Sequence, residues 1–287
     1  MALTPPTVMT FAATDPSCGA GMQADILALA SIGCHPLSVI TGITVQDTVG
    51  VESVMALDSD WINEQARTIL EDVQVAAFKL GLLGSIENVA MIAEIVADYP
   101  DVPLIIDPIL TSGRGDELAN EDMQAAMCEL LFPQATLITP NSLEARRLAF
   151  YEESEELKHT SLDESARRLL EMGCEYVLIT GTHERSIDVV NSLFGTQMTG
   201  ESGLIKDYHW ERLAGSYHGS GCTLTSAITA CLAHGLSMEE AVQEAQEYTW
   251  QTLKHAFRPG MGQFIPDRFF WAREEDNQDD KAVSLQH

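Results

Sequence analysis

The stretch "TVMTFAATDPSCGAGMQADILALASIG", residues 7–33, decides the fold. Its first seven residues form a short apolar and β-branched run, which reads as a buried strand. The segment after it is dense in Asp, Pro, Ser and Gly, the residues that break regular structure. From Gly21 the apolar spacing becomes helical, and Gly33 stops that helix. Strand, loop and helix in that order are half of a βαβ unit, and the pattern recurs further along. "PLSVITGITVQ" (36–46) is strand-like, and "DWINEQARTILEDV" (60–73) reads as an amphipathic helix with Asp60 as its N-cap. Short apolar runs follow at "AAFKLGLLG" (76–84), "VPLIIDPIL" (102–110), "ATLITPN" (135–141) and "YVLIT" (176–180). Helical patterns separate them at 87–99, 142–150 and 161–173. Near-continuous apolar strands alternating with helices predict a mostly parallel sheet covered on both faces. Past residue 186 the rhythm changes. "IDVVNSLFG" and "GLIKDYHWERL" predict a small antiparallel edge, and two helices follow at about 220–235 and 238–256. The reading gives one domain over residues 1–268 and a polar tail over 269–287, with 150–161 as a charged surface excursion.

Charge narrows the function. The chain of 287 residues carries 43 acids against 16 bases, a formal net charge of −27, and only five of the bases are lysines. A field of that sign opposes binding to a phosphate backbone, so nucleic acid is excluded as a partner. A salt-adapted cytoplasm and an ordinary acidic enzyme are both consistent with it. Residues 26–46 lack Asp, Glu, Lys and Arg, but Gly33 and Pro36 break the run into a helix end and a strand, so no membrane span is expected. The start lacks the basic region of an export signal. The six cysteines form no CxxC pair and show no zinc spacing, which suits free thiols in a reducing cytoplasm.

In a parallel α/β sheet, ligands gather beyond the carboxyl ends of the strands. The clusters "ATDPSCGAGMQAD", "QDT", "KLGLLG", "DPILTSGRG", "TPNSLE" and "TGTH" all fall at such ends. One convergent mouth accounts for them together. The segment "GSGC", Gly219–Ser220–Gly221–Cys222, is the most specific. Its glycines let several backbone N–H groups turn toward one point, and a helix starting near Thr223 would add its positive end. That combination can hold a transferring phosphoryl group. The same residues also serve a tight strand-to-helix turn with Cys222 as packing.

Taken together, "ATDPSCGAGMQAD", "GITVQDTVGV", "KLGLLGS", "DPIL", "ITPNSLEA" and "HGSGCTLTSAI" resemble, in order and spacing, the hydroxymethylpyrimidine and phosphomethylpyrimidine kinases of thiamine biosynthesis, within the ribokinase-like superfamily. The resemblance runs from about residue 7 to about residue 265. It implies a ribokinase-like α/β fold, ATP and Mg²⁺ as cofactors, a pyrimidine acceptor and a homodimer. It implies that Gly19, Asp25, Gln46 and Leu82 line the pyrimidine pocket; Gln46 can both donate and accept, while Asp25 reads equally as a first-turn acid. By the same resemblance Asn141, Thr180 and Thr223 serve ATP, and Asp107 and Glu144 the metal side. From the residues alone, Asn141 with Glu144 is also a capping box. Cys222 would be the catalytic residue, its thiol activated by a helix N-terminus that lowers the pKa.

Three departures stand out. Cys18 precedes Gly19 where the family carries a Gly-Gly pair. Thr180 stands where a phosphate-contacting lysine is common, with Arg114 or His183 as the candidate replacements. The loop after "DPIL" is short. Two other readings remain open: a pyridoxine or pyridoxal kinase, and a weakly catalytic ligand-binding regulatory protein.

Overall fold

A computed structural model of the chain describes residues 4–150, 160–196 and 202–273. Most of the charged stretch 150–161, and the tail beyond residue 273, lie outside the described residues.

The opening stretch forms β1 (Thr7–Thr14) and α1 (Gly21–Ser31). Around them lie β2 (His35–Gln46), β3 (Val51–Ala56), β4 (Ala77–Leu80), β5 (Leu104–Ile106), β6 (Leu137–Ile138), β7 (Tyr176–Ile179), β8 (Val189–Thr196) and β9 (Ser202–Trp210). They join in one sheet, ordered β3-β2-β1-β4-β5-β6-β7-β8-β9. From β2 to β7 all neighbours are parallel, whereas β3, β8 and β9 pair antiparallel. The expected meander after residue 186 is therefore present. The β3 edge was not anticipated: "VESVMA" is half exposed along its length and carries no apolar run.

Period-two alternation sends each strand's side chains to two cores. Met9, Phe11, Phe78 and Leu80 pack with Ile62, Ile92 and Leu169 on one face. That face is covered by α2 (Ser59–Leu70), α3 (Ile86–Ala97) and α6 (Leu162–Glu171). Val8, Ala77 and Ile105 face the other way, with Leu29, Leu224, Ala227, Ile228 and Val242. That layer is α1 with α7 (Ser220–Ala233) and α8 (Met238–Lys254). Each fully buried side chain such as Phe78 contributes roughly 1.5–3 kcal/mol.

Two boundaries shift. Asp58, not Asp60, caps α2, accepting the Asp60 N–H at 3.0 Å. α7 opens at Ser220, three residues before Thr223, because Gly219 takes a left-handed conformation (φ +82°) that ends the preceding loop. The strands supporting the site are unequal: β2 runs twelve residues, and the last of them to pair with β1 is Ile43, opposite Thr14. Thr44–Gln46 thus project past β1 and hold β3 alongside.

Candidate active site

The mouth forms where the strand ends meet the first turn of α7. Gly219 is required there. A Cβ on it would lie 1.9 Å from the Gly19 carbonyl oxygen, so the loop after β1 and the start of α7 touch backbone to backbone. The first N–H groups of α7 have no acceptor inside the helix, and Ser220, Gly221 and Cys222 line a cavity of about 460 Å³. At one end of that cavity stand Thr14, Gln46, Leu82 and His218. At the other, beyond β6 and β7, stand Asn141, Thr180, His183, Trp210 and Trp250. Asp107, at the end of β5, lies between them beneath the turn: a Cβ on Gly221 would sit 3.8 Å from its Oδ2.

Ten of the thirteen expected site residues therefore share one cavity, and three do not. Asp25 is fully buried and belongs to no first turn. Its carboxylate is spent on Lys79 Nζ at 2.9 Å and on the hydroxyls of Thr10 at 2.7 Å and Ser226 at 2.8 Å, so it lies below the pocket rather than in its wall. Gly19 sits behind His218, whose Cδ2 would meet a Cβ there at 2.2 Å. Thr223 is fully buried on the far side of its turn, donating to the Gly219 carbonyl at 2.8 Å. It braces the backbone of its turn and does not line the cavity.

The capping reading of the Asn-x-x-Glu pattern is realised in full. Asn141 Oδ1 accepts the N–H groups of Leu143 and Glu144 at 2.9 and 3.0 Å, and Glu144 Oε2 accepts that of Asn141 at 2.9 Å. This opens α5 (Ser142–Phe150). Glu144 Oε1 takes a further N–H from Leu110 at 3.2 Å. Burial and the neighbouring Asp107 push the Glu144 carboxyl up to about 8, against those two N–H donors. Burial likewise raises Asp107 to about 6, with Lys79 and the Cys222 thiol pulling the other way. The two acids thus share one dry corner and resist ionising together.

Cys222 reverses an expectation. Its side of α7 is buried, with the residue 6% exposed. Burial, then the charge of Asp107, pushes the thiol well above its ordinary range, and Lys79 and the Gly21 N–H offset only part of this. A helix N-terminus lowers a thiol pKa only where the thiolate is not stripped of solvent. In this site the thiol holds its proton.

The replacements considered for the missing lysine fare poorly. Arg114 pairs with Asp116 at 2.8 Å on the surface. Burial pushes His183 below its ordinary range, away from a cation. A buried cation does lie below the catalytic turn, outside the cavity wall and paired with Asp25. Lys79 is the one polar side chain of β4, fully buried on the α1–α7 face. Burial works against its charge, but Asp25, Cys222 and Asp107 outweigh that and hold it above the usual lysine range. A lone lysine inside "AFKL" was the available signal. Asp15 was also passed over. Its carboxylate gathers the Ser17 and Ala20 N–H groups and His218 Nε2 at 2.7–2.8 Å. These bonds overcome burial and lower it to about 2. Cys18 is the sole non-glycine at positive φ (58°) among the described residues, which is the backbone shape the family's glycine would suit.

Comparison with known proteins finds relatives over most of the chain. The profile of a family described as phosphomethylpyrimidine kinase matches residues 15–267. The chain is 35% identical over 264 residues to the hydroxymethylpyrimidine/phosphomethylpyrimidine kinase of Streptomyces coelicolor, covering 91% of this chain and 93% of that enzyme. Among solved structures, the ADP complex of Bacillus subtilis pyridoxal kinase is similar with a TM-score of 0.81 at 28% identity, covering 92% and 97% of the two chains. The phosphomethylpyrimidine kinase of Clostridium difficile is similar with a TM-score of 0.72 at 31% identity, covering 86% and 99%.

Proposed function

The chain belongs to the phosphomethylpyrimidine kinase family and is a phosphotransferase of thiamine biosynthesis; we propose that it acts on hydroxymethylpyrimidine, its monophosphate or both, and that its residues divide the work as follows. The acceptor occupies the end of the cavity beside Gln46 and Leu82, and ATP the end beside Asn141 and Thr180. The γ-phosphoryl lies on the N–H groups of Ser220–Cys222, where the positive end of α7 stabilises charge developing on it. The observation that carries this reading is the Gly219 turn. It aims a helix start at a cavity flanked by the Gln46 amide on one side and the Asp107–Glu144 corner on the other.

Asp107 and Glu144 fit a hard divalent cation. Both oxygens of Glu144 already accept N–H groups, so the fit is through water rather than by direct ligation. Mg²⁺ bound there would neutralise the ATP phosphates and relieve the repulsion between the two acids. Cys222 takes the proton of the acceptor hydroxyl on sulfur as its own thiol proton passes to Asp107. A carboxyl raised to about 6 is a competent acceptor.

The exposed apolar side chains Val45 (55%) and Met55 (58%), on the paired edge strands β2 and β3, support a homodimer through that edge. No helix among the described residues is long and apolar enough to cross a membrane; none of the six cysteines is in a disulfide, which supports a reducing, cytoplasmic setting. The pyridoxal kinase neighbours support a second acceptor, pyridoxal. The test is ADP release with ATP, Mg²⁺ and each acceptor, with mass detection of mono- and diphosphates. Pyrimidine products that vanish on chelation are expected. Phosphorylation of pyridoxal alone, or full turnover in excess chelator, would sink the assignment.

A further inference from the structure

Arg268 is a buried arginine outside every motif that carries the chemistry. Its guanidinium makes three hydrogen bonds, none to a carboxylate. Nη1 donates to the Cys18 carbonyl at 3.2 Å, Nη2 to the Gly19 carbonyl at 2.5 Å, and Nε to Thr223 Oγ1 at 3.0 Å. Cys18 and Gly19 belong to the loop after β1, on the acceptor side. Thr223 belongs to the first turn of α7, and its hydroxyl passes the bond on to the Gly219 carbonyl at 2.8 Å. One planar fork thus ties the two segments at the point where Gly219 allows them to touch.

The anchor behind the fork is rigid. The Arg268 carbonyl accepts from Ser31 Oγ at 2.6 Å, at the end of α1, and from Tyr248 Oη at 2.9 Å, on α8. The adjacent Asp267 N–H bonds the Thr252 carbonyl of α8 at 3.0 Å. Both helices flank α7. On the opposite side of the same loop, Asp15 holds His218 and the Ala20 N–H. The loop is therefore gripped from both sides, by an acid above and an arginine below. Cys18 makes the grip consequential, because a left-handed non-glycine residue reverts unless its surroundings hold it.

We propose that Arg268 is a positioning residue for phosphoryl transfer, setting the spacing between the acceptor-side loop and the phosphoryl cradle of α7. Lysine retains the charge but puts its donors on one nitrogen, so it lacks the planar fork whose three nitrogens reach these separate acceptors. Misplacement of reacting groups by about 1 Å costs on the order of 10²-fold in rate.

The inference rests on reading residues 219–222 as that cradle, and the test separates the two. Amide hydrogen exchange and steady-state kinetics are measured on wild type, Arg268→Lys and Arg268→Ala. Faster exchange confined to 17–20 and 219–222 is expected in both variants. So is a kcat reduced roughly 10- to 100-fold while both KM values move less than about threefold. Millimolar guanidinium, but not sodium at equal ionic strength, should restore turnover to Arg268→Ala by refilling the vacated fork. Exchange that rises evenly along the chain, or loss of the fold in both variants, would assign Arg268 to general stability and overturn the proposal. Unchanged exchange and kcat in Arg268→Lys would overturn it equally. An inactive wild type with the local exchange change intact would fault the cradle reading and leave the clamp standing.

Discussion

Replacing Lys79 by methionine tests the electrostatics beneath the site. Lys79 and Asp25 are both fully buried, and each ammonium–carboxylate contact is 2.9 Å. Methionine keeps most of the volume and removes the charge, so Asp25 loses its counter-charge in a dry layer between β4, α1 and α7. The Thr10 and Ser226 hydroxyls still reach it, but neither neutralises it. Breaking a buried pair from one side costs roughly 3–5 kcal/mol. At roughly 2 °C per kcal/mol for a domain of this size, the melting point should fall by about 6–10 °C. Removing both charges together, as Asp25→Asn with Lys79→Met, should recover most of that loss, since a buried pair replaced as a unit is often close to neutral. The assay is urea unfolding of wild type, both single variants and the double variant at one pH, read as a double-mutant cycle. A single variant losing under about 1 kcal/mol, or a double variant as unstable as the sum of the singles, would refute the argument.

Cys222→Ala should retain ATP and acceptor binding and lower kcat by roughly 10²–10⁴-fold, the range for loss of a proton acceptor; near-wild-type turnover would leave the rate to the backbone cradle alone. Gln46→Ala should raise the acceptor KM by the equivalent of about 1–3 kcal/mol and spare that for ATP, whereas equal rises in both would remove Gln46 from the acceptor end. Thr180→Lys should tighten ATP binding, measured by calorimetry, because neither Arg114 nor His183 supplies a free cation there; unchanged affinity in a folded variant would mean that another group does. Stability should depend on pH in two opposite ways. Glu144, raised to about 8 from an unfolded value near 4.5, contributes stability that is full below the unfolded value and lost as pH climbs through about 8. Asp15, lowered to about 2, contributes about 2 kcal/mol above pH ~4 that is lost on acidification toward the folded value. Urea midpoints should therefore decline on both sides, with Asp15→Asn flattening the acid limb; a midpoint independent of pH across both limbs would contradict both shifts.

Much of this site was legible because parallel-sheet physics puts ligand-facing residues at strand ends, and Gln46, Leu82, Asp107, Asn141 and Thr180 all sit at or just past one. What escaped were positions where direction, not location, decides. Cys222 and Thr223 are neighbours on one helical turn, yet one faces the cavity and the other Arg268, because successive residues are set about 100° apart. Asp25 lies a full turn into α1, where its helix face points down onto Lys79 instead of out to the mouth. The thiol's pKa was misjudged for a related reason. The helix end is visible in sequence, but the burial that outweighs it depends on packing by residues far away along the chain. β3 was missed because an exposed edge strand needs no apolar pattern, only a partner, and β2 supplies it.

The overhang of β2 past β1 has an evolutionary consequence. The wall that carries Gln46 overhangs β1, and the turn at 47–50 that joins it to β3 touches neither hydrophobic core; it is held instead by the Gln263 N–H, which donates to the Thr48 carbonyl at 2.8 Å. Doubling the length of such a turn costs only about 0.6 kcal/mol in closure entropy, while truncating a large core side chain costs roughly 2–5 kcal/mol. With the acceptor beside Gln46 as proposed, its choice can drift through changes in the overhang while the turn at 219–222 stays fixed. A scaffold divided this way lets one phosphoryl-transfer machine be refitted to different hydroxymethyl heterocycles by splicing a dozen residues, with the rest of the sheet left as inherited.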